Sequence, residues 1–461
     1  MIDEHKTEID VSYKEKIAPK LSHDKVHDIA QTTIAEIDRK ITEQLNLILH
    51  HPEFQRLEAS WRGLQYLTDQ CGDIGQLKIR ILDISWSLFA KDLNYALEFD
   101  QSQLFKKIYT NEIDLPGGEP FGILIGDYYI SHQSDKNHST TDTLRRMAKI
   151  SAAAFAPFVV ASSAKFFGLD DFSQFKPSLN LRRIFEQSEY SQWKNLRSEE
   201  DARFIGVMLP RVLLRLPYNL NCHSRVDQFC FKEYVQSPTD YLWGNAAYCL
   251  AAVVARAFHQ QGWFTEIRGT ELDMISKGMV TGLQREYLAI GNFGLNYKPA
   301  TEVLITSNQE KELSNLGFIA LCECQYTQFC AFYSCQSIQL AKIYDRTSAT
   351  ANAQLSTMLH YILCVSRFAH YIKVLMRNKV GTFSSAEECQ SFLQNWLLGY
   401  TAITDGMSQQ SKAKYPLREV KIEVRKKNDK PGSYFCIMQL RPHFQLDSLE
   451  ASLTLLTEIP V

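Results

Sequence analysis

Four cysteines are the first residues to ask for chemistry. In "CECQYTQFCAFYSC" they stand at Cys322, Cys324, Cys330 and Cys335. Four thiolates can close a tetrahedral zinc site. The spacing has no C-x-x-C knuckle and the intervening residues are largely aromatic, which favours the other reading, thiols packed as small apolar groups. "SRFAHY" brings Arg367, His370 and Tyr371 together, a trio from which a general acid can be built. A helix-packing histidine, with Arg and Tyr bonding their neighbours, is the plainer reading and is preferred. Arg211 and Arg215 lie four apart between Pro210 and Pro217. They can hold an anion, but pairing with carboxylates is the simpler expectation. From Lys412 to Lys430, eight basic residues outnumber three acidic ones. A nucleic-acid patch would interleave stacking aromatics. None breaks the "RKK" cluster, so a solvated turn or a complementary protein surface is expected.

Nothing else in the sequence has the form of a catalytic motif. There is no G-x-x-x-x-G-K-[ST], no G-x-S-x-G and no H-E-x-x-H, so no phosphate loop, nucleophile elbow or zinc-protease helix is predicted. The sequence therefore predicts no catalytic residue, no cofactor and no metal. A length of 461 residues implies two or three domains. Hydrophobic content of 45% with 22% charged residues argues against wholesale disorder. A net charge of −2 supplies no chain-wide field for nucleic acid or anionic lipid. The 11 cysteines form no disulfide framework, and reduced thiols in a cytoplasm are expected. The opening "MIDEHKTEID" lacks the apolar core of a secretory leader. The most apolar stretch, Ile150 to Ala164, contains Pro157 and is shorter than the roughly 20 residues of a spanning helix, so it reads as buried core.

The elements that must position these groups can be read from periodicity. Ile29, Ile34, Ile37, Ile41, Leu45 and Ile48 predict a helix over 24–50. In "HPEFQRLEASWRGLQYL", Pro52 suits a first helical position. Phe54, Leu57, Trp61 and Leu64 then form one apolar seam, expected to face the core. Glu58 and Arg62 make an i, i+4 pair. Leu77, Ile79 and Ile81 alternate with Lys78, Arg80 and Leu82, which predicts a half-buried strand. "FGILIGDYYIS" predicts a strand buried on both faces, as does "PFVVASS". "TDTLRRMAKISAAAFA" reads as a helix between them, and "RFIGVML", ended by Pro210, as a further strand. This alternation predicts an α/β architecture. From about Ala341 the pattern is helical, with Gly381 as a stop signal. A hairpin follows from Leu417 to Leu440: Val420, Ile422 and Val424 alternate with charges, and the return strand runs through Phe435 and Ile437. Leu449, Leu453 and Leu456 predict a terminal amphipathic helix.

Seven blocks in order carry a family likeness: "HPEFQRLEASWRGLQYL", "PFGILIGDYYISH", "AAAFAPFVVASS", "LPRVLLRLPY", "YLWGNAAYCLA", "SRFAHYIKVLMRNKVG" and "LRPHFQLD". Together they resemble the large subunit of the type VI secretion contractile sheath, the TssC/VipB family, from about residue 25 onward. The resemblance implies a contractile-sheath, phage tail sheath-like α/β fold. It has mixed sheets with flanking helices, an N-terminal arm (1–24), a helical region meeting the small sheath subunit (25–70), an α/β core (71–340) and C-terminal helices with the hairpin (341–461). It implies a structural, non-enzymatic role in a bacterial cytoplasm. The expected partners are the small subunit (TssB/VipA), neighbouring protomers, the Hcp inner tube, a baseplate and a Clp-type unfoldase (ClpV) acting through the small subunit. Interface residues expected on this basis are Phe54, Arg56, Leu57, Glu58, Trp61, Arg62, Val420, Ile422, Val424, Phe435 and Ile437. The arm is the natural strand donor and the hairpin the natural receiver. The alternatives are a metal-dependent enzyme using Cys322–Cys335 and a nucleic-acid module using the basic hairpin.

Overall fold

The computed structural model describes residues 23–72, 75–133, 139–219, 229–271, 275, 277–289, 295–324, 327, 329–378, 386–402, 409–426, 433–443 and 453–460. The predicted arm, the stop signal at Gly381 and the hairpin turn lie outside them. The chain divides into two units, 1–55 with 217–240, and 56–216 with 241–461.

The smaller unit is built on α1 (His23–Leu49), which runs over the predicted span, and on the start of α2 (Pro52–Cys71). Its connections are polar. Asn46 Oδ1 accepts from Tyr234 N at 2.9 Å. The ring of His50 meets the buried Glu233 carboxylate at 3.2 Å, and Gln55 donates to the carbonyls of Thr239 and Asp240.

The larger unit centres on a six-stranded sheet in the order β1-β2-β3-β9-β10-β6. Its strands are β1 (Leu124–Ile130), β2 (Phe158–Ser162), β3 (Ile205–Leu209), β6 (Met279–Val280), β9 (Phe318–Glu323) and β10 (Cys330–Phe332). The first four strands in that order run parallel, β10 pairs antiparallel with β9, and β6 antiparallel with β10. β2 and β3 are buried at every position, as continuous apolar runs require. β1 departs from the expectation: among the described residues it is an edge strand of the sheet, and it is only partly buried. Two small two-stranded sheets are also present. β4 (Val212–Arg215) pairs with β5 (Leu242–Gly244), and β7 (Tyr287–Ala289) with β8 (Leu295–Tyr297).

Helices cover both faces. α5 (Thr140–Ala154) begins at the Ser139 cap, whose side chain accepts from Asp142 N, and ends at Phe155 in the left-handed region. With α3 (Trp86–Tyr95) and the short α4 (Gln103–Phe105), α6 (Leu181–Phe185) and α7 (Ser191–Arg197), it borders a core rich in stacked aromatics, among them Phe166, Phe167, Trp193 and Phe318. α8 (Ala247–Gln261) lies on the other face with Leu250, Val253 and Val254 buried against Val159 and Ile319. α9 (Ser307–Asn315) enters β9 behind a Thr306–Gln309 capping box. Three further helices, α10 (Thr347–Ser356), α11 (Leu359–Asn378) and α12 (Ala386–Leu398), lead through α13 (Gln409–Lys414) to the terminal sheet.

That sheet corrects one expectation and refines another. β11 (Leu417–Lys426) pairs antiparallel with β12 (Ser433–Pro442), giving the predicted hairpin. The predicted terminal helix is instead a strand, β13 (Leu453–Pro460), paired with β12 over its whole length. Its leucines satisfy a helical spacing by coincidence, and the open edge of β12 decides the outcome. The predicted strand over Leu77–Leu82 also fails. Residues 77–85 have no regular secondary structure and join no sheet among the described residues, and Ile81 is 68% exposed. Lys78 instead pairs with Glu119, and Arg80 with Glu112.

Candidate assembly interface

α2 positions its side chains by a conflict between packing and periodicity. Its inward face is Gly63, Leu67 and Cys71. Gly63 is required there because a Cβ would fall 2.5 Å from the ring of Tyr248. Tyr248, Ala251, Ala252 and Ala255 of α8 supply a small-residue bed for Leu67 and Cys71. This geometry turns the predicted apolar seam outward. Phe54, Leu57 and Trp61 are exposed, Leu57 at 57% and Trp61 at 64%, and only Leu64 packs inward. The seam expected to face the core therefore faces solvent over its first two turns. Burying an indole rather than leaving it in water is worth about 2–3 kcal/mol, which the exposed Trp61 does not gain within the described residues of this chain.

The charged residues of the same helix divide. Glu58 accepts from Arg215 Nε at 2.8 Å and lies 3.4 Å from Arg62 Nε. The Arg215 side chain is only 8% exposed, so Glu58 is committed to the protein's own fold. Arg56 is exposed and Arg62 half-buried. In the smaller unit α1 shows the same inversion: Ile29, Ile34, Ile37, Ile41 and Ile48 are all exposed. Five isoleucines pointing to water along a 27-residue helix, about 40 Å long, have no core of that unit over them among the described residues.

In the terminal sheet the pairing register separates two faces. Val420, Ile422 and Val424 stand opposite Leu440, Met438 and Cys436, and all six are buried under α12 with Cys389, Leu393 and Leu397. Gln390 and Gln394 of α12 bond the backbone of β11 at Val424 and Val420. The three β11 valine and isoleucine side chains are thus used internally, and what this hairpin offers a partner is its backbone edge and outer face. In the register, Ile437 stands opposite Glu423 and Phe435 opposite Arg425, with the Ile437 side chain half-buried. The charges beside them are paired locally, Arg425 with Glu423 at 2.7 Å and Lys421 with Glu419 at 3.3 Å.

The residues that opened the search for chemistry have structural roles. Cys322 faces the aromatic core, and Cys330 and Cys335 the opposite one. Burial pushes each of these three thiols up to about 12, which disfavours the thiolate a metal needs. Among the described residues no three His, Cys, Asp or Glu side chains converge as metal ligands. Cys230 departs from the expectation of reduced thiols: it is exposed, where a second thiol can reach it, and is disulfide-bonded. His370 is buried and bonds the Ala154 carbonyl at 2.8 Å, closing the C-terminal end of α5. Arg367 stacks on Tyr371, 4.5 Å from its centroid. Arg211 takes Glu302 through two nitrogens at 2.6 and 2.5 Å, and Asp171 at 3.4 Å. Arg211 and Arg215 therefore hold carboxylates, as expected. Nothing in the sequence marks Arg215 as the partner of Glu58, since that pairing spans two distant segments. No described helix is long and apolar enough to cross a membrane.

Comparison with known proteins supplies the context. The tail sheath N-terminal domain of the EvpB/VC_A0108 family matches residues 31–339, and the tail sheath gpW/gp25-like domain of the same family matches residues 348–459. The chain is 39% identical over 448 residues to the type VI secretion system sheath protein TssC1 of Pseudomonas aeruginosa, covering 95% of this chain and 87% of that protein. A solved structure of the anti-feeding prophage baseplate aligns with 84% of this chain and 80% of its own, at 10% identity and a TM-score of 0.33. Two consecutive family domains and a relative matched almost end to end place this chain in the TssC/VipB tail sheath family.

Proposed function

We propose that this chain is the large structural subunit of a type VI secretion contractile sheath, and that it performs no catalysis. The observation that carries the reading is the outward apolar seam of α2, Leu57 and Trp61 on a helix pinned from behind by Gly63 and Glu58, in a chain of the sheath family. A monomer gains nothing from such a seam, whereas a subunit that must find a partner does. The small sheath subunit (TssB/VipA) docks on the 25–70 region, with Phe54, Arg56, Leu57, Trp61 and Arg62 at the contact. Residues 71–340 form the core of the protomer, and 341–461 the region that links it to neighbouring protomers. An outer strand of the terminal sheet receives a strand from a neighbour, donated by the 1–24 arm, because the central strand β12, which carries Phe435 and Ile437, is already paired on both sides.

In this reading the heterodimers polymerise around the Hcp tube on a baseplate in the bacterial cytoplasm. Contraction drives the tube outward, and a Clp-type unfoldase (ClpV) recycles the sheath through the small subunit. A sheath stores energy as a difference between two packings and needs bistable interfaces instead of a catalytic pocket. Many weak contacts acting together convert small differences per subunit into a large concerted change. Co-purification tests the contact. Trp61→Glu combined with Leu57→Glu should abolish recovery of the small subunit on a tagged version of this chain, while its circular dichroism is unchanged. Full recovery with the double variant would remove the α2 seam from the interface.

A further inference from the structure

Residues Lys106–Asp114 form a π-helix of nine residues that continues directly from α4. Leu115 N donates to the carbonyl of Thr110, five residues back, at 3.2 Å. π-turns are rare, usually occur as single-turn bulges, and concentrate at functional positions. A π-helix of this length needs something to hold it.

Two cations of α11, one turn apart, supply the hold. Arg377 Nη1 donates to the carbonyls of Ile113 at 3.0 Å, Leu115 at 2.9 Å and Glu112 at 3.3 Å, and its Nη2 to Gly118 at 3.0 Å. One guanidinium thus gathers the carbonyls at the end of the π-helix and of the turn behind it, groups that a helix end leaves without partners. The ammonium of Lys373 lies 4.8 Å from the Tyr109 ring centroid and 4.9 Å from that of Phe155, and donates to the Tyr109 hydroxyl at 3.4 Å. Glu112, buried within the π-helix, accepts from Arg80 and from Glu119 N. Gly118 closes the turn so tightly that a Cβ would lie 2.6 Å from the carbonyl oxygens of Asn111 and Glu112. The π-helix belongs to the first matched family domain and α11 to the second, and both lie within the larger unit.

We propose that the Lys106–Asp114 π-helix, clasped by Arg377 and Lys373, is a conformational coupler between the two domains. It keeps its wide register while the clasp is closed and relaxes toward α-helical register when α11 shifts. The device is a property of the chain and does not depend on the partners named above. A coupling is reciprocal, and this gives its test: amide hydrogen exchange, read by mass spectrometry on the full-length chain. Arg377→Gln should speed exchange over residues 110–118 by about tenfold or more, with β2 and β3 unchanged. Arg377→Lys, which keeps the charge but not the fan of donors, should do so to a smaller degree. Gly118→Ala, on the other side of the clasp, should speed exchange over residues 372–378. An effect that stays on the mutated side, or that spreads equally to β2 and β3, overturns the coupler.

Discussion

Lowering the pH should weaken this fold through His370, by an amount that can be worked out. The ring is buried, its Nε2 bonds the Ala154 carbonyl, and its Nδ1 has no partner. Burial is the main cause that holds its pKa down, from 6.5 to about 3, and the nearby Arg367 and Lys373 push the same way. The folded state therefore keeps the imidazole neutral while the unfolded chain takes a proton as pH falls through 6.5. The stabilising contribution is complete above the unfolded pKa and is lost as pH falls toward the folded one. Between about pH 7.5 and about pH 5 the loss is about 2 kcal/mol, at 1.36 kcal/mol per unit. His360, fully buried and also held well below its usual value, adds a loss of the same sign. The variant His370→Gln keeps a donor for the Ala154 carbonyl and removes the titration. Urea unfolding of the full-length chain at the two pH values should therefore show a smaller drop for the variant, by about 2 kcal/mol. The same drop in both proteins would refute the claim that His370 is neutral and clasped.

Other consequences follow from single contacts. Gly63→Ala places a methyl against the Tyr248 ring and should cost about 1–3 kcal/mol by overpacking, read as a lowered midpoint in the same unfolding assay. Glu302→Ala leaves the Arg211 guanidinium with only the more distant Asp171 carboxylate. With Glu302 buried and Arg211 partly exposed, losing this pair should destabilise by about 1–3 kcal/mol, and no measurable loss would mean the pair is spectator to the fold. Cys322, Cys330 and Cys335, with thiols pushed up to about 12, should resist iodoacetamide in the native state and label at once in denaturant. Rapid native labelling would contradict their burial.

Periodicity disclosed the elements whose neighbours lie in the same chain. β2 and β3 are apolar at every position because both faces are covered, and the Val420–Val424 alternation predicts which side of β11 meets α12. The same patterns misled where the neighbour was absent or unforeseen. Leu77–Leu82 alternates like a strand, yet no described strand pairs with it. The terminal leucines fit a helix until β12 offers an edge. The α2 seam was legible as a seam, but periodicity is blind to whether its partner is this chain or another. The π-helix left no trace in the sequence, because what selects it is Arg377, more than two hundred residues away. The same holds for the pairing of Glu58 with Arg215.

In the proposed function, this chain builds a sheath with a small partner subunit. Negative-stain electron microscopy of the chain co-expressed with the small sheath subunit tests it most directly. Long helical tubules containing both chains are expected, as is their loss when Leu57 and Trp61 are both replaced by Glu. Purified heterodimer that yields only monodisperse particles under conditions of assembly would contradict it.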